Sequence, residues 1–543
     1  MKSLNLKTGG KVLLAGLTLC AAGMAQTWQF EQPLPAPGAR YGNGAVTGPD
    51  GNIYVVGGTA LSPFKPVFRP TDVVSRYDHG TWTANYTNLK TARTYHATVV
   101  GCDGKIVALG GTDVNGKATN TVEAIDVSTN QRSDLPNMPQ AHARLFATVG
   151  PDCNIYAVSD DADSITGTNQ VEVFNVNAGT WLTSNQPIRT LPVSVNMGSP
   201  VLIYSVVTSH NGHIVALATG TEFDFNPSAG TPWQEVAISN NVFDGPGYVS
   251  GNLYPVATAT LGVDSRIYAL DQAYLYSIQY PSWLFPDPTS KPGNSKEFAA
   301  ATSEGRIYTL GGSDTDRSVA SYGPLKASLG QYKFWWDFRG TSSPYGSWQP
   351  ACVLTGFTTY YNRVVDGRVN FAANFDGTHN FSAPAACADF SSGDFSIEFW
   401  MKQDGSGGQT TQAILDKRSY TGGYHGYHVY FSWGAVGLQL ANENGAYANY
   451  TSNIPIPKDQ WTHVAITVDS AHNIGTIWVN GVVGRTFPTV VGTYTSSAAL
   501  NIGGHNFGGL SFKGQLDELA GYNRALTFQE IRSIVLAGSQ GKQ

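Results

Sequence analysis

Between Gly51 and Gly312 one short pattern of polar and apolar positions returns six times: a polar turn, then a strand-like run of apolar residues. The copies are DGNIYVVGG from Asp50, DGKIVALGG from Asp103, DCNIYAVSD from Asp152, NGHIVALAT from Asn211, DSRIYALDQ from Asp264 and EGRIYTLGG from Glu304. Each follows an apolar-rich segment such as 97–100 or 145–149, so every copy predicts a strand, an Asp-Gly-type turn and a second strand. Self-similarity at 40 to 59 residues signals a repeat architecture, because one such hairpin cannot bury its own apolar face. Six hairpins predict a six-bladed β-propeller over residues 26–325. The strand around Trp28-Gln29-Phe30 precedes the first copy and is expected to complete the last blade, closing the ring and shielding its edges.

After Pro324 the pattern changes. A joint at 326–332 leads into Phe334-Trp335-Trp336-Asp337-Phe338, and residues 333–543 alternate with period two, as in Phe395-Ser396-Ile397-Glu398-Phe399-Trp400-Met401. Such alternation predicts antiparallel sheets with one buried face, and many short strands predict a sandwich. The whole chain is therefore expected to be all-β. Thr527, with Glu530 three residues on, predicts a capping box opening a short final helix.

The N-terminus reads differently. Lys2, Lys7 and Lys11, an apolar stretch over 12–22, and Gly23-Met24-Ala25 form a secretory signal peptide over 1–25, which implies a secreted or extracellular protein, with the periplasm or cell surface as variants. No later apolar run is long enough to cross a bilayer. Net charge is only -6 and no basic block occurs, which argues against nucleic acid as a partner. Removing Cys20 leaves four cysteines. Cys102 with Cys153 and Cys352 with Cys387 gives the shortest loops, while the other two connectivities, or free thiols, remain open.

Two families are resembled. Gly57-Gly58, Gly110-Gly111 and Gly311-Gly312 close second strands, and Ala39-Arg40, Ala92-Arg93 and Ala143-Arg144 precede first strands; in these the N-terminal part resembles a kelch-type propeller. Blades three to five depart from it, with Ser159-Asp160, Ala218-Thr219 and Asp271-Gln272 in place of the double glycine. One propeller face would gather Arg40, Arg93 and Arg144 with Asp160, Asp161, Glu222, Asp224, Asp271 and Asp314, a polar mouth for a sugar or a cation; the alternative is that these are blade-to-blade contacts and solvated turns.

VNFAANFDG from Val369, FSIEFWMK from Phe395, QWTHVAITVD from Gln460, TIWVNG from Thr476 and GQLDELAGYNRALTFQEI from Gly514 together resemble a laminin-G-like, concanavalin-A-like jelly roll. That resemblance implies binding of glycans or of a cell-surface or extracellular protein. It marks Tyr424, Tyr427 and Trp433 as sugar platforms with Asn442 and Asn444 as polar contacts, and Asp376 and Asp517 as ligands of a structural Ca²⁺; the alternatives are aromatics that belong to the core and acids that cap strand turns. Glucanases of this fold carry two or three carboxylates on the strand where this chain has Glu398 alone, so catalysis by this domain is not expected. His425 and His428, three apart, would hold a metal only with further ligands. The expectation is a non-enzymatic binding protein. The alternative is a carbohydrate-active hydrolase with carboxylates in the propeller mouth and the jelly roll as its targeting module.

Overall fold

A computed structural model describes residues 26–543 except 62–66, 163–168, 183–190, 193–201, 219–220, 230–231, 237–257, 271–273, 280–288, 293–298, 312–316, 339–351, 353, 356–363, 391–392, 406–410 and 421–422, and no side chains at 161, 162 and 274. The N-terminal half is a ring of six antiparallel sheets. Blade two shows the plan: Ala97–Val100 lies innermost, then Ile106–Leu109, Val122–Asp126 and, outermost, Gln131–Leu135. Each repeated phrase forms the first turn and second strand of a blade. Its opening acid has a local reason. Asp50 accepts from the Asn52 N–H and from the Tyr54 hydroxyl at 2.8 Å, and Asp152 repeats this with Asn154 and Tyr156. The acid four residues before the strand tyrosine therefore pins turn to strand.

Ring closure follows the sequence expectation. Thr27–Phe30 pairs antiparallel with Val319–Gly323, with Trp28 opposite Tyr322, and so becomes the outer strand of blade six. A disulfide, Cys102–Cys153, joins the first turns of blades two and three.

Two sheets form the C-terminal sandwich. One holds Phe371–Asp376, Lys513–Tyr522, Phe395–Gln403, Thr462–Asp469 and Ile474–Val479 side by side. The other holds Leu500–Ile502, Gln412–Asp416, Tyr424–Ser432, Ala435–Ala441 and Tyr447–Thr451. Between them Phe395, Ile397, Phe399, Val429, Phe431, Leu438 and Leu440 are fully buried. Cys352–Cys387 closes a second disulfide in this domain.

Much of the outer face of the first sheet is covered by the propeller. It packs on the turn end of the propeller through Ala465, Trp478, Ala520 and Tyr522. The final helix, Phe528–Ala537, opens on the expected capping box of Thr527 and Glu530. It lies across that end of the central channel, a space of about 230 Å³ lined by the innermost strands. Gln529 donates to the Val149 carbonyl and Arg532 to the Thr47 carbonyl, each at 2.7 Å. The helix thus stoppers the ring. Among the described residues no helix is long and apolar enough to cross a membrane.

Candidate functional site

The arginines of the propeller are not free. Arg40 is fully buried and donates to the Val73 carbonyl and to Ser75 Oγ; burial pulls its guanidinium down to about 10. Arg93, also fully buried, donates to the carbonyls of Gly110 and Thr121 and pairs with Glu123 at 2.6 Å. Ser75 and Glu123 hold one register position, each opposite the third residue of a second strand, Val55 or Ala108. Arg40 thus clasps a strand of its own blade, while Arg93, at the end of Thr81–Arg93 of blade one, holds residues of blade two, so both serve the scaffold rather than a binding mouth. Arg144 differs: it is 43% exposed, pairs with Asp160 at 3.3 Å and lies over the Tyr95 ring. Asp271 and Asp314 lie outside the described residues, and no side chain is described at Asp161. Glu222 is 1% exposed, and burial, then Asp224, pushes its carboxyl up to about 9. An acid so covered cannot reach a substrate.

The jelly-roll candidates also separate. Tyr427 is inside the core, its ring near Phe395 and its hydroxyl on the Ala388 carbonyl, because strand parity turns it away from the surface. Asn442 is a turn cap that accepts from the Asn444 and Ala446 N–H groups and donates to the Val491 carbonyl. Asn444 sits in that same turn. Asp376 is exposed and caps its own turn through Thr378, whereas Asp517 is fully buried and accepts from the Val369 N–H. Asp376 pairs with Lys513, four residues before Asp517, a separation of about 13 Å along the strand. The structure does not bring these two together around one ion.

Trp433 lines a groove, and Tyr424 meets it through Arg418. The outward face of the second sheet carries this groove of about 710 Å³. Period-two alternation sends Tyr427, Val429 and Phe431 inward, so His428, Tyr430 and Ser432 face out. Across the sheet, register sets Asp416, His428, Gln439 and Asn449 in one row. Tyr430 stands opposite Gly437, which stands opposite Thr451. A Cβ on Gly437 would lie 2.3 Å from the Tyr430 ring, so that ring lies against the bare backbone of Gly437, its hydroxyl 3.2 Å from Thr451 Oγ1. Tyr430 lines the groove. Trp433, 76% exposed, rises at the rim from a tight turn with Gly434, both at positive φ.

At the opposite wall Arg418 lies 5.0 Å from the Tyr424 ring centroid and 5.9 Å from that of Phe507. It holds the buried Asp416 through Nε at 2.9 Å and a terminal nitrogen at 3.1 Å. Burial works to raise Asp416, but Arg418 and the Asn506 N–H outweigh it and hold the carboxyl below its usual range. His428 is pulled down to about 3, first by burial and then by Arg418, so its ring is neutral. Asp416, His428 and His505 place one ligand atom each within 4.8 Å of one another, the further ligands that His428 lacked in the sequence. His425 points elsewhere, to the Asn442 carbonyl. Arg418 already supplies the cation there, also contacting His505 Nε2, and a second cation would meet its charge.

Residues 375–532 match the laminin G family described as the concanavalin A-like lectin/glucanases superfamily, and residues 93–139 match the kelch motif. No curated protein matches the sequence. Among solved structures, the binding domain of Paraclostridial mosquitocidal protein 1 is 16% identical, with 32% of this chain and 44% of that one covered, at TM-score 0.27. This chain thus spans less than half of it. Domain 4 of AbnA, an extracellular arabinanase from Geobacillus stearothermophilus in complex with arabinotriose, is 22% identical, covering 38% of this chain and 98% of that one, at TM-score 0.30. Trypanosoma rangeli sialidase is 12% identical, covering 94% and 98%, at TM-score 0.35. The chain joins a kelch-type six-bladed propeller to a laminin-G-like domain of the concanavalin A-like lectin/glucanase superfamily.

Proposed function

We propose that this chain is an exported glycan-binding protein whose sugar site is the groove on the outward sheet of the C-terminal domain. The observation that carries the reading is Tyr430 lying over Gly437 in the wall of the groove, beside the side-chain amides of Gln439 and Asn449. A sugar ring offers apolar C–H faces and polar edges. An aromatic ring flanked by Gln439 and Asn449 answers both needs. The lectin/glucanase superfamily match supports the same reading. The two disulfides, and the signal-like residues 1–25, support export.

On the propeller face Asp160 is paired with Arg144 and Glu222 is buried. A panel of immobilised polysaccharides probed with the full chain tests the proposal. Retention on at least one, lost in Tyr430→Ala, is expected; folded protein that passes through every matrix contradicts it.

A further inference from the structure

The hydrogen-bond inventory of Arg418 limits what the groove can hold. A guanidinium clamps a carboxylate or sulfate through two parallel N–H groups along one edge. The Nε edge is already spent on Asp416, at 2.9 and 3.1 Å. Along the other edge, one terminal nitrogen donates to Gln439 Oε1 and the other contacts His505 Nε2 at 2.5 Å. The Tyr424 ring lies against the guanidinium at 5.0 Å. Neither edge is open to a ligand.

Charge leads to the same place. Among the described residues lining the groove only Arg418 is a fixed cation, and Asp416 directly behind it cancels that charge. An anion entering would be partly desolvated without gaining a cationic partner. The remaining polar groups suit hydroxyls. Gln439 donates to Asn449 Oδ1, so among the described residues the Asn449 amide has no hydrogen-bond acceptor.

We infer that the groove takes uncharged glycans and rejects acidic ones, with Asp416 as the residue that enforces the choice by occupying Arg418. The inference rests on the groove being the sugar site, and the test separates the two. The full chain is titrated with neutral polysaccharides (arabinan, galactan, mannan, β-glucan) and with acidic ones (polygalacturonate, alginate, hyaluronate), at low and at high salt. At least one neutral polymer should bind at least tenfold more tightly than every acidic one, with affinity unchanged by salt. Asp416→Ser should free the guanidinium edge and raise affinity for an acidic polymer at least fivefold in a salt-sensitive way. Gln439→Ala, which opens the other edge, should do so more weakly and covers the case in which the first variant does not fold. Tight, salt-sensitive binding of an acidic polymer by the wild type, lost in Tyr430→Ala, overturns the inference while leaving the groove as the site. Binding of no polymer at all overturns both.

Discussion

The ammonium of Lys542 reaches Glu398 Oε1 at 2.5 Å, and both side chains are almost wholly shut off from water. Glu398 is the lone carboxylate of the FSIEFWMK strand, and it faces the layer between the two domains. There it also meets the Tyr522 hydroxyl at 3.2 Å and His463 Nε2 at 3.1 Å. Lys542 adds a bond to the Glu518 carbonyl, and its neighbour Gln543 donates to the Ala327 carbonyl. Burial works to raise Glu398, but Lys542 and His463 hold it below its ordinary value.

Breaking such a pair leaves a buried charge uncompensated, which typically costs 3–5 kcal/mol. Lys542→Met is therefore expected to destabilise the protein by about 3 kcal/mol in denaturant unfolding. The double variant Lys542→Met with Glu398→Met should recover most of that loss. A double variant as unstable as the single one would show that the pair is not the source.

Asp517 is pushed up to about 8, by burial and then by Glu518, and Glu518 up to about 7, by burial against the pull of Lys542. The folded protein thus keeps protons that the unfolded chain releases near ordinary carboxylate values. Stability from these groups is full below about pH 4 and is lost as pH rises towards 8. Melting temperature should fall between pH 5 and pH 8.5, and Asp517→Asn should flatten that slope while keeping an acceptor for the Val369 N–H. An unchanged slope in the variant would contradict the assignment.

The channel helix predicts a mechanical coupling. Phe528 and Ile531 are buried in the layer shared by propeller and sandwich. Replacing both with Asp should undock the helix, split thermal unfolding into two transitions and open the 326–332 joint to protease. One cooperative transition with unchanged protection would argue that the helix is not what fastens the halves.

The propeller was legible in the sequence because its signal is local. An Asp-Gly-type turn and the strand after it lie within nine residues, and Trp28 could be assigned to blade six because the ring lacked one strand. Capping is equally local, and Thr527 and Glu530 read correctly. Register is not local. FSIEFWMK shows that Glu398 leaves the core, but not that a propeller covers it. Of the tyrosines in YHGYHVYFS, parity buries Tyr427 and exposes Tyr430, and only pairing with Ala435–Ala441 shows that Tyr430 lies over Gly437. Period-two counting from Val429 and Phe431 as core residues would have found Tyr430. The kelch resemblance carried Arg40 and Arg93 to the face, but a fully buried guanidinium needs its acceptors close by: Arg40 found them in its own blade and Arg93 in the next.

Gly437→Ala tests the central claim most directly, because it alters no group that would touch a sugar. The added methyl would lie 2.3 Å from the Tyr430 ring and must displace it. Isothermal titration of the full chain with a neutral polysaccharide that the wild type binds should show affinity reduced at least tenfold in Gly437→Ala, with melting temperature nearly unchanged. Wild-type affinity in Gly437→Ala, and again in Tyr430→Ala, would contradict the account and move the sugar site off this groove.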